Sequence, residues 1–229
     1  TTEPALDLFA EDGNVIASGT CGAQGNNLTW VLTDDGILTI SGKGNMEYYY
    51  SSNDRTTAPW GLYWDQVTAV VIEPGVTSIG RSAFYGCSSL TIVTIPESVT
   101  SIGDYAFYDC SSLTSVSIPE GVTSIGDSSF GRCRGLTCVS IPESVTSIGE
   151  DAFVACSGLT SVSIPEGVTS LSNGTFYDCS CMTSVTIPGS VTSIGKEAFS
   201  GCSSLTSVTI PESVTSISRS AFFGCSSLT

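Results

Sequence analysis

The chain has 229 residues, ten of them cysteine and none histidine, and its 22 acidic residues against 7 basic ones give a net charge of -15. That imbalance repels a phosphate backbone, which argues against nucleic acid as a partner, and no apolar run reaches the roughly 18 residues needed for membrane insertion. The missing histidine removes Ser-His-Asp and Cys-His nucleophile pairs, histidine metal sites and the usual general base.

In chain order, Thr1 starts without the Met, basic residues and apolar stretch of a leader, so the sequence reads as a processed or trimmed soluble segment. Residues 1–66 show no repeat and form a capping region ahead of an array at 67–229. The stretch up to Thr20 has few apolar anchors and is expected to be loose at its start. Leu28 to Leu32 and Ile37 to Ile40 are short strand-like runs joined through Thr33, Asp34, Asp35 and Gly36, which predicts a β-hairpin. Trp30, Trp60, Tyr63 and Trp64 lie nearby. They either cover the apolar end of the first coil, the favoured reading, or form an aromatic platform for a sugar or peptide.

From residue 67 a 23-residue unit repeats seven times. Its Phe column is Phe84, Phe107, Phe130, Phe153, Phe176, Phe199 and Phe222, and its Cys column is Cys87, Cys110, Cys133, Cys156, Cys179, Cys202 and Cys225. A fixed period of this kind marks a solenoid, in which a coil that could not fold alone buries its apolar columns against its neighbours. In each coil Ser115, Val116, Ser117 and Ile118 alternate as a half-buried strand with Val116 and Ile118 inward. Pro119, Glu120 and Gly121 then turn the chain, with equivalent prolines at 96, 142, 165, 188 and 211. Val122 to Ile125 predicts a second short strand, and the segment around Ala106 and Phe107 predicts one helical turn. The fold class expected is a mainly β and turn solenoid with a flattened three-sided coil and an N-terminal β-hairpin cap. Ser172 and Ser218 replace the Gly column in two copies, so a positive φ is not demanded there. The sequence stops at Leu228 and Thr229, two residues into an eighth copy, without a polar terminal coil. Either the natural protein continues or the uncapped C-terminal coil self-associates.

Seven of the ten cysteines share that one column, and the periodicity points to buried, reduced thiols at a coil corner. Bridging between adjacent coils is the rival reading, and no pairing among Cys21, Cys138 and Cys181 follows. Redox or metal work would need paired thiols or nearby histidine. Glu97, Glu120, Glu143 and Glu166 stack at the turn after the strand, where coils should lie about 4.8 Å apart. Ca²⁺ could bridge them, but Gly189 breaks the column and no calcium-type repeat of Gly and Asp occurs, so solvated turn residues are the simpler reading. Glu150 and Asp151 are chain neighbours, which rarely converge across a substrate. No catalytic residue, metal or other cofactor is expected.

Surface identity varies at few columns. After the Gly column stand Arg81 and Ser82, Asp104 and Tyr105, Asp127 and Ser128, Glu150 and Asp151, and so on. The position after Phe reads Tyr85, Tyr108, Gly131, Val154, Tyr177, Ser200 and Phe223. Tyr85, Tyr105, Tyr108, Tyr177 and Phe223 therefore make a partial aromatic strip, either a contact surface or a cover for the next coil's edge. Arg132 and Arg134 are a close basic pair that could hold an acidic group, with solvated surface charge the simpler reading. Ile92, with Val71 and Cys138, is an exception on an outward strand face otherwise built of Ser and Thr.

The unit Leu-x-x-Val-x-Ile-Pro-x-x-Val-Thr-Ser-Ile-Gly-x-x-Ala-Phe-x-x-Cys, as in Leu90 to Cys110, resembles the BspA-like leucine-rich repeats of bacterial and some protist surface proteins, over residues 67–229. Gly19, Thr20, Cys21 and Gly22 with the Asp35-Gly36 hairpin are similar to the leader region often found before such arrays. The resemblance implies a right-handed leucine-rich-repeat solenoid on a secreted or cell-surface protein, adhesion as its role, and no catalytic residues. The expectation is an extracellular or cell-surface adhesion module, non-enzymatic, presenting a solenoid face to a protein or glycan of a host or neighbouring cell, without membrane insertion. The alternative is a passive spacer in a larger surface protein, which such similar repeats would suit.

Overall fold

The computed structural model describes residues 13–52 and 55–229. Its N-terminal part is an antiparallel meander of β1 (Val15–Gly22), β2 (Gly25–Thr33) and β3 (Ile37–Gly42), with Trp30 opposite Ile40 and Leu32 opposite Leu38. The hairpin expected at Thr33 to Gly36 is present: Gly36 takes φ +85 and donates its N–H to Thr33 O at 3.0 Å. Strand β1 orders residues 15–20, whereas the start expected to be loose, Thr1 to Asp12, lies outside the described residues. Partners rather than its own apolar pattern define β1, because Gly19 sits opposite Trp30 and a Cβ there would come within 2.9 Å of the indole nitrogen.

The cap continues into the array as a disguised coil. Strand β3 pairs in parallel with Ala69–Ile72, placing Ile37 beside Ala69 and Ile40 beside Ile72, 32 positions on. Gly44–Asn45 likewise joins Val76–Ile79, and Tyr49 N–H reaches Arg81 O at 3.0 Å, again 32 positions on. At Thr68, whose O accepts Thr91 N–H at 2.9 Å, the offset has fallen to the repeat's 23. The first coil therefore carries nine extra residues between Tyr49 and Thr68, which hides it from a search by period.

In the repeats the first strands are Ile92–Thr94, Ser115–Ser117, Cys138–Ser140, Ser161–Ser163 and Ser184–Thr186, each exposed, buried, exposed. Val116 and Ile118 point inward as expected and are buried. The prolines turn the chain through Val122 N–H to Pro119 O at 3.0 Å and its equivalents. Second strands at Ser101–Ile102, Ser124–Ile125 and Ser147–Ile148 extend a parallel ladder that begins at Gly44–Asn45.

The third side is not the helical turn expected around Ala106 and Phe107. It is a run of tight turns in which alternate N–H groups bond within the coil and to the next coil. Ser82, Phe84 and Gly86 donate to Asp104, Ala106 and Tyr108 at 2.7 to 2.8 Å, while Ala83, Tyr85 and Cys87 donate three residues back. Two left-handed residues per coil make this alternation, as at Tyr105 (φ 55) and Asp109 (φ 59). A helix would keep every N–H inside the coil and leave the stack without this ladder. The Gly column behaves as expected, since Gly103, Gly126 and Gly149 have no positive φ. It is set instead by close approach between coils, and Ser172 fits there by donating its hydroxyl to Ile148 O at 2.7 Å.

The core is columnar. Phe84 to Phe222 stack with centroids 5.2 to 5.5 Å apart and planes within 18° of parallel. The Cys column is reduced, and from Cys110 to Cys225 each thiol donates to the Phe carbonyl 26 positions earlier at 3.0 to 3.2 Å. Thr hydroxyls knit the outside, as Thr137 does with Thr114 O and Thr123 with Thr100 O, both at 3.2 Å.

Candidate binding groove at the cap end of the array

Tyr48, Tyr49 and Tyr50 leave the disguised coil beside the second strand of the first repeat. Alternation sends Tyr49 inward, where it is buried and its hydroxyl donates to Cys21 O at 3.1 Å. The two neighbours face out, 70% and 72% exposed. The segment is held at both sides, by Glu47 N–H on Cys21 O at 2.9 Å and by Thr57 N–H on Tyr50 O at 2.7 Å.

These two rings flank a groove of about 560 Å³ that runs across three coils. Its floor is the second-strand ladder with Ser101, Ser124 and Ser147, and its edge is formed by Arg81, Asp104 and Asp127. Each carboxylate is pinned through one oxygen: Asp104 Oδ1 accepts Asp127 N–H at 3.1 Å, and Asp127 Oδ1 accepts Glu150 N–H at 2.8 Å. Asp104 Oδ2 lies 3.9 Å from Arg81 Nη1, an exposed pair worth little energetically. The glycines at 103, 126 and 149 line the floor, where they let successive coils approach closely.

Arg81 joins the groove to an aromatic cluster. Its guanidinium lies 5.6 Å from the centre of the Tyr105 ring, Tyr105 meets Tyr108 edge to face at 5.7 Å, and Tyr108 stacks on Tyr85 at 5.1 Å. Arg132 covers the other end, 5.5 Å from the Tyr108 centre. Burial holds the Tyr108 hydroxyl above its ordinary pKa, and Arg132 works against that rise. Asp151, beyond the groove, is also raised, first by desolvation and then by Glu150, Asp127 and Glu197.

Of the residues singled out from sequence, the structure brings together Tyr85, Tyr105, Tyr108 and Arg132. It leaves the rest apart. Gly131 and Val154 interrupt the column before the half-buried Tyr177, and Phe223 stands 74% exposed near the other end. Ile92, 42% exposed, lies on the first-strand face. Arg134 is exposed and forms no ion pair among the described residues. The favoured reading of the tryptophans is also what the structure displays. Trp30 and Trp60 are buried and meet edge to face at 5.8 Å, so neither offers a platform. The Glu column is exposed, and no group of His, Cys, Asp and Glu among the described residues is arranged to hold a metal. Tyr48 and Tyr50 were missed from sequence. Three adjacent tyrosines in a polar stretch were the available signal, but the nine-residue insertion concealed which coil they belong to.

Among the described residues no helix is long and apolar enough to cross a membrane. Residues 62–181 and 169–229 match a family model described as the BspA type leucine rich repeat region, in six copies. Among solved structures, the leucine rich repeat protein of T. pallidum aligns with a TM-score of 0.60 at 28% identity, covering 82% of this chain and 91% of that one. A leucine-rich repeat protein from Bacteroides ovatus aligns with a TM-score of 0.65 at 29% identity, covering 88% of this chain. The match spans 50% of the Bacteroides protein. No curated protein matches the chain.

Proposed function

The chain belongs to the BspA-type leucine-rich repeat family, and on that premise we propose that it is a non-enzymatic binding module at a cell surface or in the extracellular space. It engages a protein or glycan of a host or neighbouring cell through the cap end of the array. The observation that carries this reading is the cluster of Tyr85, Tyr105 and Tyr108 clamped between Arg81 and Arg132. Tyr and Arg are the residue types most enriched at binding hot spots, and rings held by stacking lose little entropy when a partner docks. The neighbouring groove extends the same surface through Arg81. Later coils expose mainly small polar strand residues over a buried, unbroken Phe stack, which favours a second role for them as a rigid spacer.

The test is binding of residues 1–229 to an immobilised panel of extracellular-matrix proteins, mucins and glycans. Saturable binding to a panel member supports the reading. A clean negative across the panel removes it in favour of a spacer.

A further inference from the structure

We infer that the groove beneath Tyr48 and Tyr50 is a binding site for a short neutral oligosaccharide. The inference rests on the reading of this chain as a binding module and supplies the ligand class for one part of its surface.

The floor of the groove excludes the commonest way of holding a peptide. Strand addition needs an unpaired sheet edge. Here Ser101–Ile102 is paired on both sides, with Val76–Ile79 and with Ser124–Ile125, and Ser124–Ile125 is paired in turn with Ser147–Ile148, which ends the ladder with its Ile148 O taken by the Ser172 hydroxyl at 2.7 Å. What the floor offers is side-chain hydroxyls, one per coil, over about 10 Å at a spacing of about 4.8 Å. Among the described residues the hydroxyls of Ser101, Ser124 and Ser147 bond to no other group, nor do the phenols of Tyr48 and Tyr50.

The remaining groups fit a polyol. Asp104 and Asp127 are fixed by a backbone N–H on one oxygen, and Asp127 Oδ2 has no partner among the described residues. A carboxylate oriented in this way accepts hydroxyl hydrogens strongly. Two rings exposed at 70% and 72% supply flat apolar faces for the C–H side of a sugar ring. A volume of about 560 Å³ suits a small ligand and not a folded domain. Charge sets the selectivity: two carboxylates against one guanidinium, on a chain of net charge -15, disfavour sialylated or sulfated glycans.

The test is a titration of the whole chain with cellotetraose, chitotetraose and mannotetraose, with a heparin tetrasaccharide as the anionic comparator, followed by calorimetry and by tyrosine fluorescence. Saturable binding of at least one neutral tetrasaccharide without binding of the heparin fragment is expected. The combined Tyr48→Ala and Tyr50→Ala variant should lose at least about tenfold in affinity, with its circular dichroism spectrum unchanged. Asp127→Asn keeps an acceptor for Glu150 N–H and should still weaken binding several-fold. Tyr177→Ser, remote from the groove, should retain binding. Failure of all three neutral sugars, or loss of sugar binding only in that last variant, overturns the groove as a saccharide site. In either case a protein captured on the panel would leave the broader binding reading intact. A negative on both the sugars and the panel removes both.

Discussion

The indole of Trp60 lies 5.6 Å from the ring of Phe84 with planes 20° apart, and its Nε1 donates to Ala83 O at 2.8 Å. The Phe stack thus begins inside the cap, and a single side chain supplies both the ring contact and a hydrogen bond to the first repeat. Trp60→Ala should cost about 3–5 kcal/mol, the range for emptying a fully buried aromatic site. Trp60→Phe should keep the stack and lose about 1–3 kcal/mol by leaving Ala83 O without its donor. Urea unfolding followed by circular dichroism distinguishes the two. Equal midpoints for Trp60→Ala and the natural chain would show that the cap does not anchor the array.

Ala155 sits at φ 55, in a column where Gly86, Gly201 and Gly224 also adopt positive φ. A left-handed residue with a Cβ costs about 1–2 kcal/mol, partly offset by the entropy that glycine loses on folding. Ala155→Gly should therefore stabilise by about 1 kcal/mol and raise Tm by roughly 2–4 °C. A lower Tm in a thermal scan would contradict the strain assigned to this corner.

Burial raises the thiols of Cys87 and Cys202 from 9.0 to about 12 and holds those of Cys110, Cys156 and Cys179 well above 9.0. Unfolded thiols ionise near pH 9, so the folded chain binds more protons between pH 9 and 12. Stability is complete below that window and falls as pH rises through it, by about 1.4 kcal/mol per pH unit for each such thiol. Tm measured from pH 8 to 11 should drop steeply, and Cys87→Ser should drop less steeply. Parallel curves would contradict the assignment.

The same burial predicts where thiol reagents act. Cys138 and Cys181 are exposed, whereas Cys21 and the column from Cys87 to Cys202 are buried. Iodoacetamide on the native protein should label Cys138 and Cys181 first, with the buried column modified only after denaturation. Rapid native labelling at Cys133, read by peptide mapping, would show that the coils open more readily than their packing indicates.

The array was legible because every coil buries the same residues: the Phe and Cys columns, the proline turn and the inward Val116 and Ile118 all follow from one period and one alternation. The helical turn expected near Phe107 was wrong for a physical reason. Tyr105 and Asp109 adopt left-handed conformations that serve hydrogen bonds to the next coil; the column of Gly86, Asp109, Asp178, Gly201 and Gly224 carries a signal for this, whereas Tyr105 by itself carries none. The groove was least visible. Asp104 and Asp127 stood out as variable positions, but the extra residues after Tyr49 break the period, so the sequence does not place Tyr48 and Tyr50 beside them. Trp30 and Trp60 were legible as the cover of the first coil, since alternation and stacking draw those indoles into the core.

The central claim is that recognition is concentrated at the cap end, where Tyr85, Tyr105 and Tyr108 meet Arg81 and Arg132. It is tested most directly by comparing, for whichever panel member the chain captures, the affinity of the combined Tyr85→Ser and Tyr108→Ser variant with that of Tyr177→Ser, both verified as folded. The account predicts a loss of at least about tenfold for the first and no measurable change for the second. Equal losses, or a loss confined to Tyr177→Ser, would contradict it.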